Sequence, residues 1–191
     1  MASTAPSPAQ PAKPKDPVAS IAGQVAKLST GDRALLRRLY LVEASNSRTF
    51  AGDGVVVGLL HRAGVKVPLN PAILGPLDAP PTPNPAYDAW RLLAHVAAVL
   101  AGTGGKEAHA PGGRVGSALF EAGVSPARML RLTSTCGPAL HDQVRLVARR
   151  LAQTGRPVNL WPIYHLIADD PAAAEQARIR IAQEYQAAAA V

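Results

Sequence analysis

The sequence predicts an all-α fold of about eight helices, arranged as two small helical subdomains behind a disordered N-terminal tail. Hydrophobic residues make up 48% of the 191 positions but aromatic residues only 4%. This composition favours helices over strands, which are rich in β-branched and aromatic residues. Apolar residues also recur at helical spacing, and several such stretches open with a capping residue followed by proline, which marks the start of a helix.

A disordered tail and an N-terminal helical half are predicted for residues 1–110. Residues 1–17 are mainly Ala, Pro, Ser and Lys with almost nothing to bury, so folding is expected to begin at Val18. The helices predicted beyond the tail lie in VASIAGQVAKL, in GDRALLRRLYLVEA with Ser29 or Thr30 as cap, over 55–63, and after Asn84 and Pro85. Three successive valines also leave the third of these segments open to a strand. Residues 64–85 contain seven prolines and predict an irregular connection.

A C-terminal helical half is predicted for residues 111–191, after a flexible, glycine-rich boundary at AGTGGKEAHAPGG. Its helices are predicted over 114–122, over 126–133 from Ser125 and Pro126, over 138–154 up to Gly155, in LWPIYHLIA, and after Asp170 and Pro171. In the 138–154 helix, the apolar positions form one stripe and the arginines lie elsewhere.

The basic charge of the chain lies in two blocks. The formal net charge is +7 and the isoelectric point about 10.1. Residues 18–66 hold seven Lys or Arg against three Asp or Glu, and residues 111–157 hold seven against two. Such blocks indicate a polyanionic partner such as nucleic acid, or an acidic protein face, although an ordinary basic surface is also compatible with them.

Motifs that carry catalytic or metal chemistry are not found in the sequence. AGTGGKEA lacks the first glycine and the final Ser or Thr of a phosphate-binding loop, and GDGVVVG misses the dinucleotide fingerprint. The five histidines lack the short spacings of metal ligands, and no serine lies in a Gly-x-Ser-x-Gly elbow. We therefore predict a protein that is not an enzyme, with no catalytic residue, no metal and no cofactor.

A cytoplasmic location without membrane contact is also predicted. Cys136 is the single cysteine, so no intramolecular disulfide is possible. No apolar run approaches the roughly 20 residues of a membrane span, and the N-terminus lacks the hydrophobic region of a secretory signal.

The stretch GSALFEAGVSPARMLRL leaves two interpretations open. Gly123, Ser125 and Met129 fit a helix-turn-helix reader of DNA, but Leu119 stands where such readers usually carry a small residue. The second helix also offers few base-reading side chains beyond two arginines. The alternative is simply a good helix stop followed by a good helix start.

Three segments together resemble the CasB family, the small subunit of the type I-E CRISPR surveillance complex, Cascade. They are GSALFEAGVSPARMLRL, ALHDQVRLVARRLAQTGRPVNLWPIYHLI and the terminal RIRIAQEYQAA, and LSTGDRALLRRL is similar to the opening segment of that family. The resemblance spans most of residues 28–186 and rests on the order and spacing of these segments rather than on any single motif.

The resemblance implies a non-catalytic subunit, present as a pair of copies, that helps assemble Cascade and stabilises the R-loop. Its implied partners are the guide RNA complex, the displaced single-stranded DNA, a second copy of itself, the large subunit and the backbone protein that coats the guide RNA. Contacts to the nucleic-acid backbone are expected to be independent of sequence, since few aromatic residues are present for base stacking.

The residues predicted to contact nucleic acid come from both basic blocks. They are Arg33, Arg37, Arg38, Arg128, Arg131, Arg145 and Arg149. Two other functions stay open from the sequence. One is a helix-turn-helix transcription regulator, and the other is a purely structural subunit whose basic faces meet acidic proteins.

Overall fold

The computed structural model describes residues 16–40, 50–67 and 84–190, apart from the side chains of Phe50 and Ala51. Nine helices and no strand lie within these ranges, which confirms the all-α class where about eight helices are predicted. The helices are α1 (Pro17–Lys27), α2 (Thr30–Arg38), α3 (Phe50–Ala63), α4 (Pro85–Ala101), α5 (Val115–Glu121), α6 (Pro126–Ser134), α7 (Pro138–Thr154), α8 (Trp161–Ile167) and α9 (Pro171–Ala189).

The helix starts follow the capping residues that the sequence predicts. Each cap accepts a hydrogen bond from an otherwise unpaired backbone N–H of the first turn. The predicted caps that do so are Ser29 before α2, Asn84 before α4, Ser125 before α6 and Asp170 before α9. In α1, Asp16 is the cap and Pro17 the first residue, so the fold begins one residue before the predicted Val18.

Two helices differ from their predicted bounds. α3 begins at Phe50 rather than Val55, and the valines belong to a helix rather than a strand. Burial explains the outcome, because Val56, Leu59, Leu60 and Ala63 are buried at helical spacing. α2 ends at Arg38, and residues 39–40, predicted to continue it, form a turn. Its last predicted residues, 41–44, lie outside the described residues, as do 1–15 of the tail and 68–83 of the proline-rich connection.

Helix α4 lies at the centre of the protein and is buried on nearly every side. It packs against α1, α2 and α3 from the N-terminal half and against α7 and α8 from the C-terminal half. A helix that is apolar all round must be enclosed by others, and Leu92, Leu93 and Val96 are fully buried there. The two predicted halves therefore contribute to one continuous core, and their division into subdomains stays a prediction.

The segment between the halves is packed rather than flexible. Ala108 and His109 are buried, and the backbone pairs with the chain after α7: Val158 N donates to Ala108 O at 3.2 Å, and Ala110 N donates to Val158 O at 3.0 Å. The glycines in this segment predict flexibility, and these nonlocal hydrogen bonds hold residues 108–110 against the chain after α7.

Helix α9 lies directly against α5 and positions the start of α6. A Cβ atom on Gly116 would lie 2.1 Å from the carbonyl oxygen of Ile181, so only glycine fits there. The Tyr185 hydroxyl donates a 2.5 Å hydrogen bond to the carbonyl oxygen of Val124, two residues before α6 begins. Among the described residues, no helix combines the length and hydrophobicity needed to cross a bilayer.

Candidate nucleic-acid interface

A basic groove runs between α6 and α7 and encloses about 420 Å³. We call it the α6–α7 groove. Its described lining consists of Val124, Arg128, Arg131, Gln143, Leu146, Val147, Arg149, Arg150 and Gln153. Four of these nine side chains are cationic and none is acidic, so the groove has a strongly positive potential.

The helical spacing of α6 and α7 brings these side chains together. In α6, Met129 and Leu132 are buried, which turns Arg128 and Arg131, one turn apart, toward solvent. In α7, the core stripe is formed by Leu140, Val144, Val147, Ala148 and Leu151. The flank of α7 beside that stripe carries Gln143, Leu146, Arg149, Arg150 and Gln153, which lie three or four residues apart except for the adjacent Arg149 and Arg150.

The four groove arginines are exposed and make no ion pair with the residues that the structure describes. Other surface arginines do have acidic partners: Arg156 lies 2.8 Å from Glu121, and Arg180 lies 3.0 Å from Glu184. Four cations without a neighbouring carboxylate repel one another, and a bound polyanion relieves that repulsion. The groove therefore suits a chain of phosphates better than a single small ligand.

Arg145 does not line the groove as described, and its contact with nucleic acid stays a prediction. Its guanidinium pairs with Asp142 and lies over the ring of Tyr40, with 4.8 Å between the guanidinium carbon and the ring centroid. Nη1 also donates to the Tyr40 carbonyl oxygen at 3.4 Å. Asp142 and Tyr40, just beyond α2, hold the Arg145 side chain away from the groove, although Arg149 follows it by one turn on the same flank of α7.

Arg33 is a structural residue, and its prediction as a nucleic-acid contact is also wrong. It is only 7% exposed. Its Nη1 donates to the carbonyl oxygens of Ala26, at 3.0 Å, and Leu28, and its Nη2 donates to that of Thr103 at 2.9 Å. The end of α1 and the loop after α4 leave these carbonyls without helical partners, and the guanidinium satisfies them.

Arg37 and Arg38 lie on the last turn of α2, half-buried and exposed respectively. Neither of them lines the α6–α7 groove as described. Their contact with nucleic acid stays a prediction.

Arg128, Arg131 and Arg149, also predicted from the sequence, do lie together in the groove, and the sequence reasoning missed Arg150. The structure exposes it. Its spacing from Gln143, Leu146 and Gln153, three or four residues at each step, was the signal that could have identified it.

Behind the groove, His95 is buried between α2 and α7. It is 2% exposed, its Nδ1 donates to the Leu36 carbonyl oxygen at 2.9 Å, and its ring meets that of Tyr40 edge-on at 5.1 Å. Burial is the main cause that lowers the pKa of His95 to about 4. The Leu36 hydrogen bond opposes this shift, and the positive charges of Arg145, Arg149 and Arg91 add smaller lowering effects. The ring is therefore neutral at neutral pH.

A second cleft, of about 470 Å³, lies between the start of α7 and the start of α9. Its walls are mainly apolar, and Arg178 Nη2 lies 3.2 Å from the thiol sulfur of Cys136. Asp88, Asp169 and Asp170 also line this cleft, and their carboxylates disfavour an anionic ligand. No group of three or more His, Cys, Asp or Glu residues in the described ranges is placed to hold a metal ion.

Comparison of the chain with models of protein families, with curated proteins and with solved structures found no match. A functional proposal therefore rests on the groove, on its charge and on the resemblance noted in the sequence.

Proposed function

We propose that this chain binds the backbone of nucleic acid, without reading its sequence, as the non-catalytic small subunit of a type I-E-like CRISPR Cascade complex. The observation that carries the proposal is the α6–α7 groove, with four exposed arginines and no acidic residue in its described lining. The resemblance to the CasB family supplies the complex in which the groove works.

Backbone contact fits the groove better than base-edge contact. Phosphates carry all of the negative charge of the nucleic acid, and each arginine that neutralises one releases bound counterions. In the proposed role, the groove holds the displaced DNA strand or the guide–target region, and this contact stabilises the R-loop. The chain then lies beside the large subunit, a second copy of itself and the backbone protein on the guide RNA, in the cytoplasm.

The arrangement of α6 argues against the helix-turn-helix alternative. A recognition helix lies in the major groove with its N-terminal residues in contact with the base edges. Here Arg128 and Arg131 share one concavity with Arg149 and Arg150 from α7, so α6 is not presented by itself. Convergence of cations from two helices favours a phosphate chain that runs between them.

Fluorescence anisotropy with a labelled, random-sequence single strand over a salt series tests this proposal. With four phosphate contacts, the logarithm of the association constant should fall with the logarithm of salt at a slope of about −2.8. Arg128→Gln combined with Arg131→Gln should reduce the slope by about 1.4, because two contacts are lost.

A matched control removes the same charge elsewhere. Arg62 and Lys66 are exposed at and just beyond the end of α3, so Arg62→Gln with Lys66→Gln should leave the slope nearly unchanged. An equal decrease of the salt slope in both double variants would indicate that the strand is attracted by the net charge of the protein, and it would reject the groove as the site.

Two further results would favour the other functions. A protected duplex site in a footprinting experiment would support a transcription regulator, since specific sites bind several kcal/mol more tightly than random DNA. Absence of strand binding at low salt would leave acidic proteins as the partners. In reconstituted Cascade, the Arg128 and Arg131 double variant should lower R-loop stability.

A further inference from the structure

We infer that the α6–α7 groove holds a single strand with a nucleobase turned onto Leu146, so that it prefers single strands to duplexes. This inference rests on the proposed function, and it adds a base contact to the phosphate contacts. The inference is based on the position of an exposed leucine in a groove that is lined by four arginines.

Leu146 is 55% exposed. An isolated exposed leucine is ordinary on a protein surface. Leu146, however, lies in a concavity whose other apolar lining residues, Val124 and Val147, are buried, so it supplies most of the accessible apolar side chain there. Contacts with phosphates require no apolar surface, and this feature is therefore not explained by backbone binding alone.

The amides of Gln143 and Gln153 lie in the same groove, on the flank of α7 that carries Leu146. From 143 to 153 this flank is roughly 15 Å long, at about 1.5 Å per helical residue. A glutamine amide both donates and accepts hydrogen bonds, so it can meet the edge of any base. The groove thus offers polar contacts on both sides of the leucine without selecting a particular base.

A duplex cannot use Leu146 in this way. Its bases are stacked and paired inside, and it presents only phosphates and sugars to a groove between two helices. A single strand can place its phosphates against the arginines and turn an unstacked base toward the leucine. The volume of about 420 Å³ lies within the usual range for pockets that enclose a small organic group.

The test compares two labelled strands of equal length, an oligothymidylate and a strand of abasic tetrahydrofuran units, in binding to the full-length chain. Both carry the same number of phosphates, so their salt slopes should agree. We expect the oligothymidylate to bind about fivefold more tightly, which corresponds to about 1 kcal/mol.

Leu146→Gln should remove this difference by weakening only the oligothymidylate. The control is Leu130→Gln, because Leu130 is 67% exposed on α6 but does not line the groove as described. It should leave both affinities unchanged. Both leucines are exposed, so neither substitution disturbs the core.

The outcomes separate the two proposals. Equal, salt-dependent binding of the two strands would overturn the base contact and leave the proposed function standing. A difference that persists in Leu146→Gln would also overturn it, since the base would then lie elsewhere. No binding of either strand at low salt would refute the proposed function itself.

Discussion

Arg145 lies against Tyr40, and this contact separates it from Arg149, one turn further along α7. The ring of Tyr40 has the guanidinium carbons of Arg91 and Arg145 at 4.7 and 4.8 Å from its centroid. Arg149, in contrast, lines the α6–α7 groove. Two arginines that lie one helical turn apart thus have different roles: Arg145 packs against Tyr40, and Arg149 lies at the surface of the groove.

Substitution of these two arginines should separate stability from binding. Arg145→Gln should lower the free energy of unfolding by about 1 kcal/mol, the usual strength of a cation–π contact, with little change in strand affinity. Arg149→Gln should reduce the salt slope of binding by about 0.7 with little change in stability. Urea unfolding and fluorescence anisotropy measure the two quantities. Equal losses of affinity in the two variants would mean that the groove extends around α7.

Arg33→Met should destabilise the protein strongly. It leaves the carbonyl oxygens of Ala26, Leu28 and Thr103 without their donor, at a total cost of roughly 3 kcal/mol or more in the free energy of unfolding. Arg38→Met is the control on the same helix, and its exposed position should limit the change to about 0.5 kcal/mol. A change below 1 kcal/mol for Arg33→Met in urea unfolding would contradict the structural role assigned to this residue.

Glycine-to-alanine substitutions should have opposite effects at two positions. Gly116→Ala forces α5 away from α9, because the new Cβ atom would lie 2.1 Å from the Ile181 carbonyl oxygen, and we expect a loss of about 3 kcal/mol. Gly23→Ala lies in α1 with no atom within 4 Å of its Cβ position, and it should stabilise the protein by about 0.5–1 kcal/mol. Thermal unfolding of both variants shows whether each substitution raises or lowers the stability of the protein. A stable Gly116→Ala protein would show that the two helices can separate at little cost.

Stability should fall on acidification because of His95. Its pKa is lowered from the ordinary 6.5 to about 4 in the folded protein, so between these values the unfolded chain binds more protons than the folded one. The stability that the neutral His95 ring contributes is fully present above about pH 7. It is lost as the pH falls from 6.5 toward 4, and the total loss in the free energy of unfolding is about 3 kcal/mol.

The variant His95→Gln isolates this effect. Burial also lowers the pKa of His109, which adds a dependence of the same sign, so the wild type must be compared with the variant rather than with a flat line. The difference between their unfolding free energies, measured from pH 7 to pH 5, should shrink as the pH falls. A constant difference would show that His95 is protonated alike in both states.

The features that the sequence predicted well are those set by neighbours in the chain. Ser125 and Asp170 cap their helices because a side-chain oxygen reaches an N–H two or three residues away, and that relationship is local. The exposed positions of Arg128 and Arg131 likewise follow from the buried Met129 and Leu132 between and beside them.

Nonlocal contacts explain the errors. One acceptor of Arg33 is the Thr103 carbonyl oxygen, seventy residues away, and the periodicity of the α2 sequence cannot predict this contact. Arg145 and Arg149 are both absent from the core stripe of α7, and their difference arises because the Arg145 side chain meets Tyr40, 105 residues earlier in the chain, whereas Arg149 lines the groove. Arg150, by contrast, could have been identified from its local spacing, because it lies four residues after Leu146 and three before Gln153.

The hydrogen bond from Tyr185 to Val124 determines which pieces of the chain can be studied alone. Val124 lines the groove, yet its carbonyl oxygen is held by a residue on the last helix, and Gly116 on α5 is held there as well. An excised α6–α7 hairpin would contain every arginine of the groove but would lack this support. The smallest fragment that keeps the groove in shape therefore has to continue through Tyr185, although the described lining of the groove ends at Gln153.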